Sequence, residues 1–184
     1  DQICKDLKKV SYREEIDFIS SHQPRIDFIA KLACKIPKKC LITFRFIETQ
    51  GDLLYAKIKE LNPDKPVYYI TGKMKGTERE RIRVQAEADD NCILLATESI
   101  FSTGINIRSL DYVIPSSPSK ASIRIIQTIG RILRKSQTTT TACVIDIVDD
   151  LQYKKKQNFA LKHFIERCQI YIHENHKYTI EKVN

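Results

Sequence analysis

The residues of this sequence best suited to handle phosphate lie at 127–134, reading QTIGRILR. The run 119–134 reads as a helix. At about 100° per residue, Gln127, Gly130, Arg131 and Arg134 share one face. Ile125, Ile129 and Leu133 take the other, so one side can pack on a core while two guanidiniums and an amide project together. A guanidinium is a planar, permanently charged fork matched to phosphate oxygens. Gly130 leaves a gap through which a phosphate can approach the helix. Two arginines on a helix are also what a solvated amphipathic face contains. What separates the two readings stands earlier in the chain.

After an apolar run at 92–96 come Thr97, Glu98, and then Gly104-Ile105-Asn106. A threonine hydroxyl and nearby amides at a strand end can hold a phosphate. Gly104 gives a backbone position with no side chain in the way. Asn106 offers an amide to a sugar hydroxyl or a bound water. An ordinary Ser/Thr/Gly turn has the same composition. Thr43 and Arg45 follow another apolar run, and Gly72 and Lys73 follow a third.

These residues need a scaffold that collects strand ends. Short apolar runs at 38–44, 67–71, 92–96, 111–114 and 140–147 read as buried strands. Helix-length segments lie between them. The region 1–37 is helical, with Ile16 and Ile19 on one face, Pro24 starting a second helix and Pro37 ending it. A helix covers 50–61. Another opens at Thr77-Glu-Arg-Glu80, which has the form of a capping box, and runs to about Ala88. A long helix covers about 152–171, with Leu161, Phe164, Ile165, Cys168 and Ile172 on one stripe. Strands alternating with helices predict a parallel α/β sheet with right-handed crossovers and helices on both faces. Ligands bind beyond the carboxyl ends of such strands. The expected organisation is a helical lead-in at 1–37 packed on the lobe, the lobe itself at 38–150, and a C-terminal helix and tail of the same domain at 151–184.

Composition bounds the partners. Hydrophobic residues make up 42% of the 184, enough for a sizeable core. Lys and Arg number 31 against 23 Asp and Glu, a net charge of +8 that suits a polyanion. No apolar run approaches the ~20 residues of a membrane span. The polar opening carries no signal peptide and no initiator Met, as expected of a piece of something longer. Six cysteines without a CxxC pair read as reduced thiols in an intracellular compartment, with Cys40, Cys92 and Cys143 as small core residues. His173 and His176, three apart, lack a matching Cys or carboxylate pattern and read as a helix end rather than a metal site.

Taken together the motifs are identifiable. Ala96-Thr97 with Gly104-Ile105-Asn106 resembles motif V of superfamily 2 helicases, and 127–134 resembles motif VI, QxxGRxxR. Leu41-Ile-Thr-Phe44 resembles motif IV, and Tyr69-Ile-Thr-Gly72 the strand after it. The order is correct across about residues 12–175. The chain looks like the second, C-terminal RecA-like lobe of such an enzyme. The likeness narrows to phage UvsW-type and XPB-type DNA helicases through Phe101-Ser-Thr-Gly, the run 127–135 and Val148-Asp149-Asp150.

The resemblance implies an active site split between two lobes. ATP and Mg²⁺ would be held mainly by the first lobe. This sequence has no GxxxxGK[ST] phosphate loop and no DExH-like box, so alone it is expected to hydrolyse little or no ATP. Arg131 and Arg134 would be arginine fingers, with Gln127 near the γ-phosphate or the attacking water. Gly104, Asn106 and Gly130 would shape the ATP cleft. Asn106 stands where many members carry Asp. Thr97 would face a nucleic-acid backbone phosphate, with Thr43, Arg45 and Lys73 as further candidates. DNA is the implied polymer, with RNA or a non-catalytic binding module of the same fold as alternatives. Asp146 and Asp149 read as strand-end or interlobe residues, and Glu98 as a local hydrogen bonder.

Overall fold

The computed structural model describes residues 2–7, 9–102, 110–118 and 142–183. Gly104, Asn106, Gln127, Gly130, Arg131 and Arg134 lie outside the described residues. In chain order the elements are α1 (Gln2–Leu7), α2 (Tyr12–Ser21), α3 (Gln23–Lys35), β1 (Cys40–Phe44), a π-helical turn (Ile47–Gly51), α4 (Asp52–Leu61), β2 (Val67–Ile70), α5 (Gly76–Ala88), β3 (Ile93–Thr97), α6 (Glu98–Ser102), β4 (Tyr112–Pro115), β5 (Cys143–Val144) and α7 (Phe159–His173). None of the described helices is long and apolar enough to cross a membrane.

The described strands form one sheet in the order β2-β3-β1-β4-β5, and every pairing is parallel. Cys40 stands opposite Ile93 on one side and Tyr112 on the other. All five residues of β1 and all five of β3 are buried, because both faces of the sheet are covered. The side chains alternate as the pleat requires. Cys40, Ile42 and Phe44 of β1 and Ile93 and Leu95 of β3 pack with Ile26, Ile29, Ala30 and Ala33 of α3 and with Leu54 and Ile58 of α4. Leu41 and Leu94, on the opposite face, pack with Ile82 and Ala86 of α5 and Ile100 of α6. The fold class read from the sequence is therefore the one observed. Helix α3 packs into the main core.

Local chemistry explains where helices begin. Pro24 lies in the first turn of α3, as its missing N–H allows. Ser11 caps α2: its hydroxyl accepts from the Glu14 amide at 3.4 Å, and its own amide donates to Glu14 Oε2 at 2.7 Å. The box expected at Thr77–Glu80 does not form. Helix α5 starts at Gly76, ahead of Thr77, and has no side-chain cap. Glu80 accepts instead from Arg83, at 2.9 and 2.7 Å.

The C-terminal region departs furthest from the sequence reading. Helix α7 begins at Phe159, not near Gln152, and the intervening residues form a turn. Its buried face is Ala160, His163, Arg167 and Tyr171. Ile165 and Ile172 of the expected stripe are 41% and 63% exposed. Polar pairing overrides the apolar periodicity. Arg167 donates to both oxygens of Asp146, at 2.7 and 2.9 Å, and the Tyr171 hydroxyl donates to the same carboxylate at 2.9 Å. Glu15 of α2, 1% exposed, accepts from the amides of Phe159 and Ala160 at 3.0 and 2.7 Å. A carboxylate is favoured at a helix N-terminus, where four amides lack intrahelical partners. Strand β5 is shorter than expected: the ladder covers Cys143–Val144, and Cys143 is exposed rather than a core residue. Residues 140 and 141 lie outside the described set. Cys40 and Cys92 are buried, and burial pushes their thiols up to about 12 and about 11. None of the six cysteines forms a disulfide.

Gly51 shows how tightly the sheet end is packed. A Cβ there would lie 2.4 Å from Phe44 Cε2 and 2.6 Å from the Tyr69 hydroxyl. The Phe44 and Tyr69 rings stack at 5.4 Å, and the Tyr69 hydroxyl donates to Asp52 Oδ1 at 2.6 Å, so neither ring can yield cheaply. Gly51→Ala should lower stability by about 1–3 kcal/mol through overpacking. A urea titration should show a lower midpoint with an unchanged slope.

Candidate nucleic-acid interface

A pocket of about 350 Å³ opens beyond the carboxyl ends of β1, β2 and β3. Arg45 and Ile47 reach it from the end of β1, Gly72 and Lys73 from β2, and Thr97, Glu98 and Ser99 from β3 and α6. Parallel pairing alone brings these three connections together, because every strand of the sheet ends at the same edge. Of the residues singled out in the sequence, Arg45, Lys73 and Thr97 meet here.

Thr43 does not. It is 0% exposed within β1 and does not line the pocket. Its side chain alternates with those of Phe44 and Ile42 and points into the covered layer instead of out of the strand end.

The pocket carries two cations, two hydroxyls and one carboxylate. Ser99 Oγ donates to Thr97 Oγ1 at 3.3 Å, which places both hydroxyls on one wall. The Arg45 guanidinium lies 5.6 Å over the Phe46 ring. That contact holds the long side chain without neutralising its charge. Burial raises the Glu98 carboxyl above its usual range, while the Ser117 hydroxyl and the charge of Arg45 pull it back. The arrangement suits a phosphate: cations and hydroxyl donors converge, and contacts of this kind position a backbone without reading bases.

A buried polar hub supports the pocket from behind. Gln50, 0% exposed, accepts from the Arg45 amide at 3.1 Å and from Ser117 Oγ at 3.1 Å. Its own amide donates to the Ser116 carbonyl at 3.0 Å. Arg25 donates to that same carbonyl at 2.6 Å and to both oxygens of Asp149, at 2.8 and 3.0 Å. Burial raises the Asp149 carboxyl above its ordinary value, and the Arg25 charge works against that rise. Asp146 and Asp149 are therefore internal ties, each held by an arginine of this same chain. Among the described residues no group of three or more His, Cys, Asp or Glu side chains converges to hold a metal, and none here is assigned to Mg²⁺.

Residues 24–136 match the family described as helicase conserved C-terminal domain. The chain belongs to that family. The match takes in the pocket and the 127–134 stretch alike. This helicase C-terminal domain is 34% identical, over 100% of its length, to the ATP-dependent DNA helicase uvsW of Enterobacteria phage T4, and covers 39% of that protein. The crystal structure of T4 UvsW superposes with a TM-score of 0.80 at 33% identity, over 94% of this chain and 37% of that one. A putative ATP-dependent RNA helicase of Acanthamoeba polyphaga mimivirus is 34% identical over 72% of the chain and 23% of its own length. The C-terminal domain of the DEAD-box protein Dbp5 shares the fold, with a TM-score of 0.60 at 16% identity over 84% of this chain and 82% of that one. The chain thus spans about two-fifths of the phage relative.

In this helicase C-terminal domain the residues the sequence reading missed are Gln50, Ser116, Ser117 and Arg25. Ser116 and Ser117 had a signal, a polar pair directly after an apolar strand. Gln50 and Arg25 had none, because each looks like a surface residue of a helix. Gln50→Leu should remove the acceptor of the Arg45 amide and cost about 1–3 kcal/mol, the usual penalty for leaving a buried donor unmet. Guanidinium unfolding of the variant beside the wild type measures it.

Proposed function

We propose that this helicase C-terminal domain is the second motor lobe of an ATP-dependent DNA helicase or translocase. The observation that carries the reading is identity of 34% along the whole chain with a protein named as an ATP-dependent DNA helicase. ATP would lie in a cleft between this lobe and a first lobe that supplies the phosphate loop and the Mg²⁺ ligands. Arg131 and Arg134 are the arginine fingers, neutralising charge as the terminal phosphoryl group leaves. A finger of this kind is worth on the order of 10³–10⁵ in rate. Gln127 stands near the γ-phosphate or the attacking water, and Gly104, Asn106 and Gly130 shape the cleft around sugar and phosphates. This lobe alone hydrolyses little or no ATP.

Thr97, Arg45 and Lys73 grip the backbone of the polymer. The pocket at the strand ends supports that role, since it gathers all three around one open cavity of about 350 Å³. Closure on ATP moves one lobe against the other and shifts the grip; repeated closure steps the lobe along a strand. Backbone contacts do not report the sugar, and one relative is named as an RNA helicase, so the polymer is settled by experiment.

The test joins this lobe to its first lobe in the full-length protein. Arg134→Ala should lower nucleic-acid-stimulated ATP turnover by about a hundredfold or more, with DNA binding nearly kept. Unchanged turnover, or no activity in the wild type, overturns the motor reading and leaves a basic binding module. Stronger stimulation by RNA than by DNA reassigns the polymer. In the same protein, Arg45→Ala and Lys73→Ala should each weaken DNA binding uniformly across sequences. Each should also reduce the salt slope of binding by about 0.7–1, as loss of one phosphate contact does.

A further inference from the structure

The turn between β5 and α7 is a built feature that the motor reading leaves unused. Tyr153 and Lys156 form an antiparallel bridge, each amide donating to the other's carbonyl at 3.1 Å. Lys154 and Lys155 therefore occupy the two central positions of a tight hairpin. Lys154 adopts φ 57°, a left-handed conformation that glycine takes most readily. Hairpin turns with positive φ at the first central position usually have glycine there. Here a lysine holds it. Its ammonium lies 5.7 Å from the Tyr153 ring centroid, and Lys154, Lys155 and Lys156 are all exposed.

The base of the turn is fixed. Asn158 Nδ2 donates to the Asp149 carbonyl at 3.0 Å, and its Oδ1 accepts from the Leu151 amide at 3.0 Å. Asp149 is the carboxylate that Arg25 ties to Ser116, and Gln50 ties Ser116 to the Arg45 backbone. The turn therefore springs from the same edge of the sheet as the pocket, and unbroken side-chain contacts link the two. Adjacent strands are about 4.8 Å apart, so β5 lies roughly 10 Å from β1 and 19 Å from β2. A strand of a few nucleotides spans that distance.

We infer that the Lys154–Lys156 turn is a second contact for the nucleic-acid backbone, extending the track of phosphates beyond Arg45 and Lys73. The Lys154 and Lys155 ammonium groups, exposed at the tip of a pinned turn, offer two adjacent positive charges to phosphates. The inference rests on the proposed function, which supplies the polymer.

The test is binding of this chain to a labelled, mixed-sequence single-stranded DNA of about 20 nucleotides, followed by anisotropy over a range of salt. Four proteins are compared: wild type, Lys154→Ala with Lys155→Ala, Arg45→Ala with Lys73→Ala, and Lys31→Ala with Lys35→Ala. The last pair removes the same charge from exposed positions on α3, away from this edge. Circular dichroism checks that each variant is folded. The turn variant should bind about tenfold more weakly at low salt and lose roughly 1.4 from the salt slope, two contacts at about 0.7 each. Equal losses in the turn and α3 variants would overturn the inference in favour of net charge alone. Loss in the Arg45 variant with none in the turn variant would overturn the inference and keep the pocket. Loss in the turn variant with none in the Arg45 variant would keep the turn and remove the pocket. A wild type that binds no DNA would overturn both.

Discussion

Arg25 is a buried cation from the first turn of α3 that touches two other parts of the fold. Its guanidinium grips Asp149 beyond β5 and the Ser116 carbonyl at the end of β4. That carbonyl also receives Gln50, which in turn holds the chain leaving β1. The side chains of Arg25 and Asp149 are 5% and 14% exposed. At such burial, removing one partner of an ion pair typically costs about 3–5 kcal/mol, because the other charge is stranded out of water. The interaction thus fixes the carboxyl edge of the sheet as a unit. Through it the exits of three strands, β1, β4 and β5, are joined by hydrogen bonds.

The same pattern recurs beside it, on the exit of β5 and the start of α7. Arg167 closes on Asp146, and Glu15 closes on the amides that open α7. Asp146 accepts from both Arg167 and Tyr171, and Glu15 accepts from Asn158, Phe159 and Ala160, and such pairing is the condition under which burial of a charge is tolerated. These pairs lash α2, α3 and α7 to the strand exits and leave the apolar stripe of α7 half outside. They also keep the buried arginines and acids engaged with one another. Arg45 and Lys73, by contrast, line the open pocket at the carboxyl edge, where a polyanion can reach them.

The legible part of the site was its chemistry. Thr97 stood at the end of an apolar run, and Arg45 and Lys73 followed two others, so strand periodicity placed all three at one edge. Thr43 carried the same signal one residue earlier and is buried, because the pleat turns it inward. Ile165 and Ile172 misled for a related reason. A helical stripe records which residues are apolar, not which face meets a neighbour, and here the neighbour offers Asp146.

The sequence by itself determined the parallel α/β layout and the run of strands, and it singled out the stretch 127–134 together with Thr97, Arg45 and Lys73 as candidates for phosphate contact. These depend on local period and residue type, which are written along the chain. Only the tertiary structure decided that Arg25 meets Asp149 across 124 positions, that Glu15 caps a helix 144 residues away, and that the lysines at 154–156 form a turn rather than a helix. A buried charge is satisfied by whichever opposite group the fold brings near. Nothing in the spacing of residues along the chain encodes that meeting.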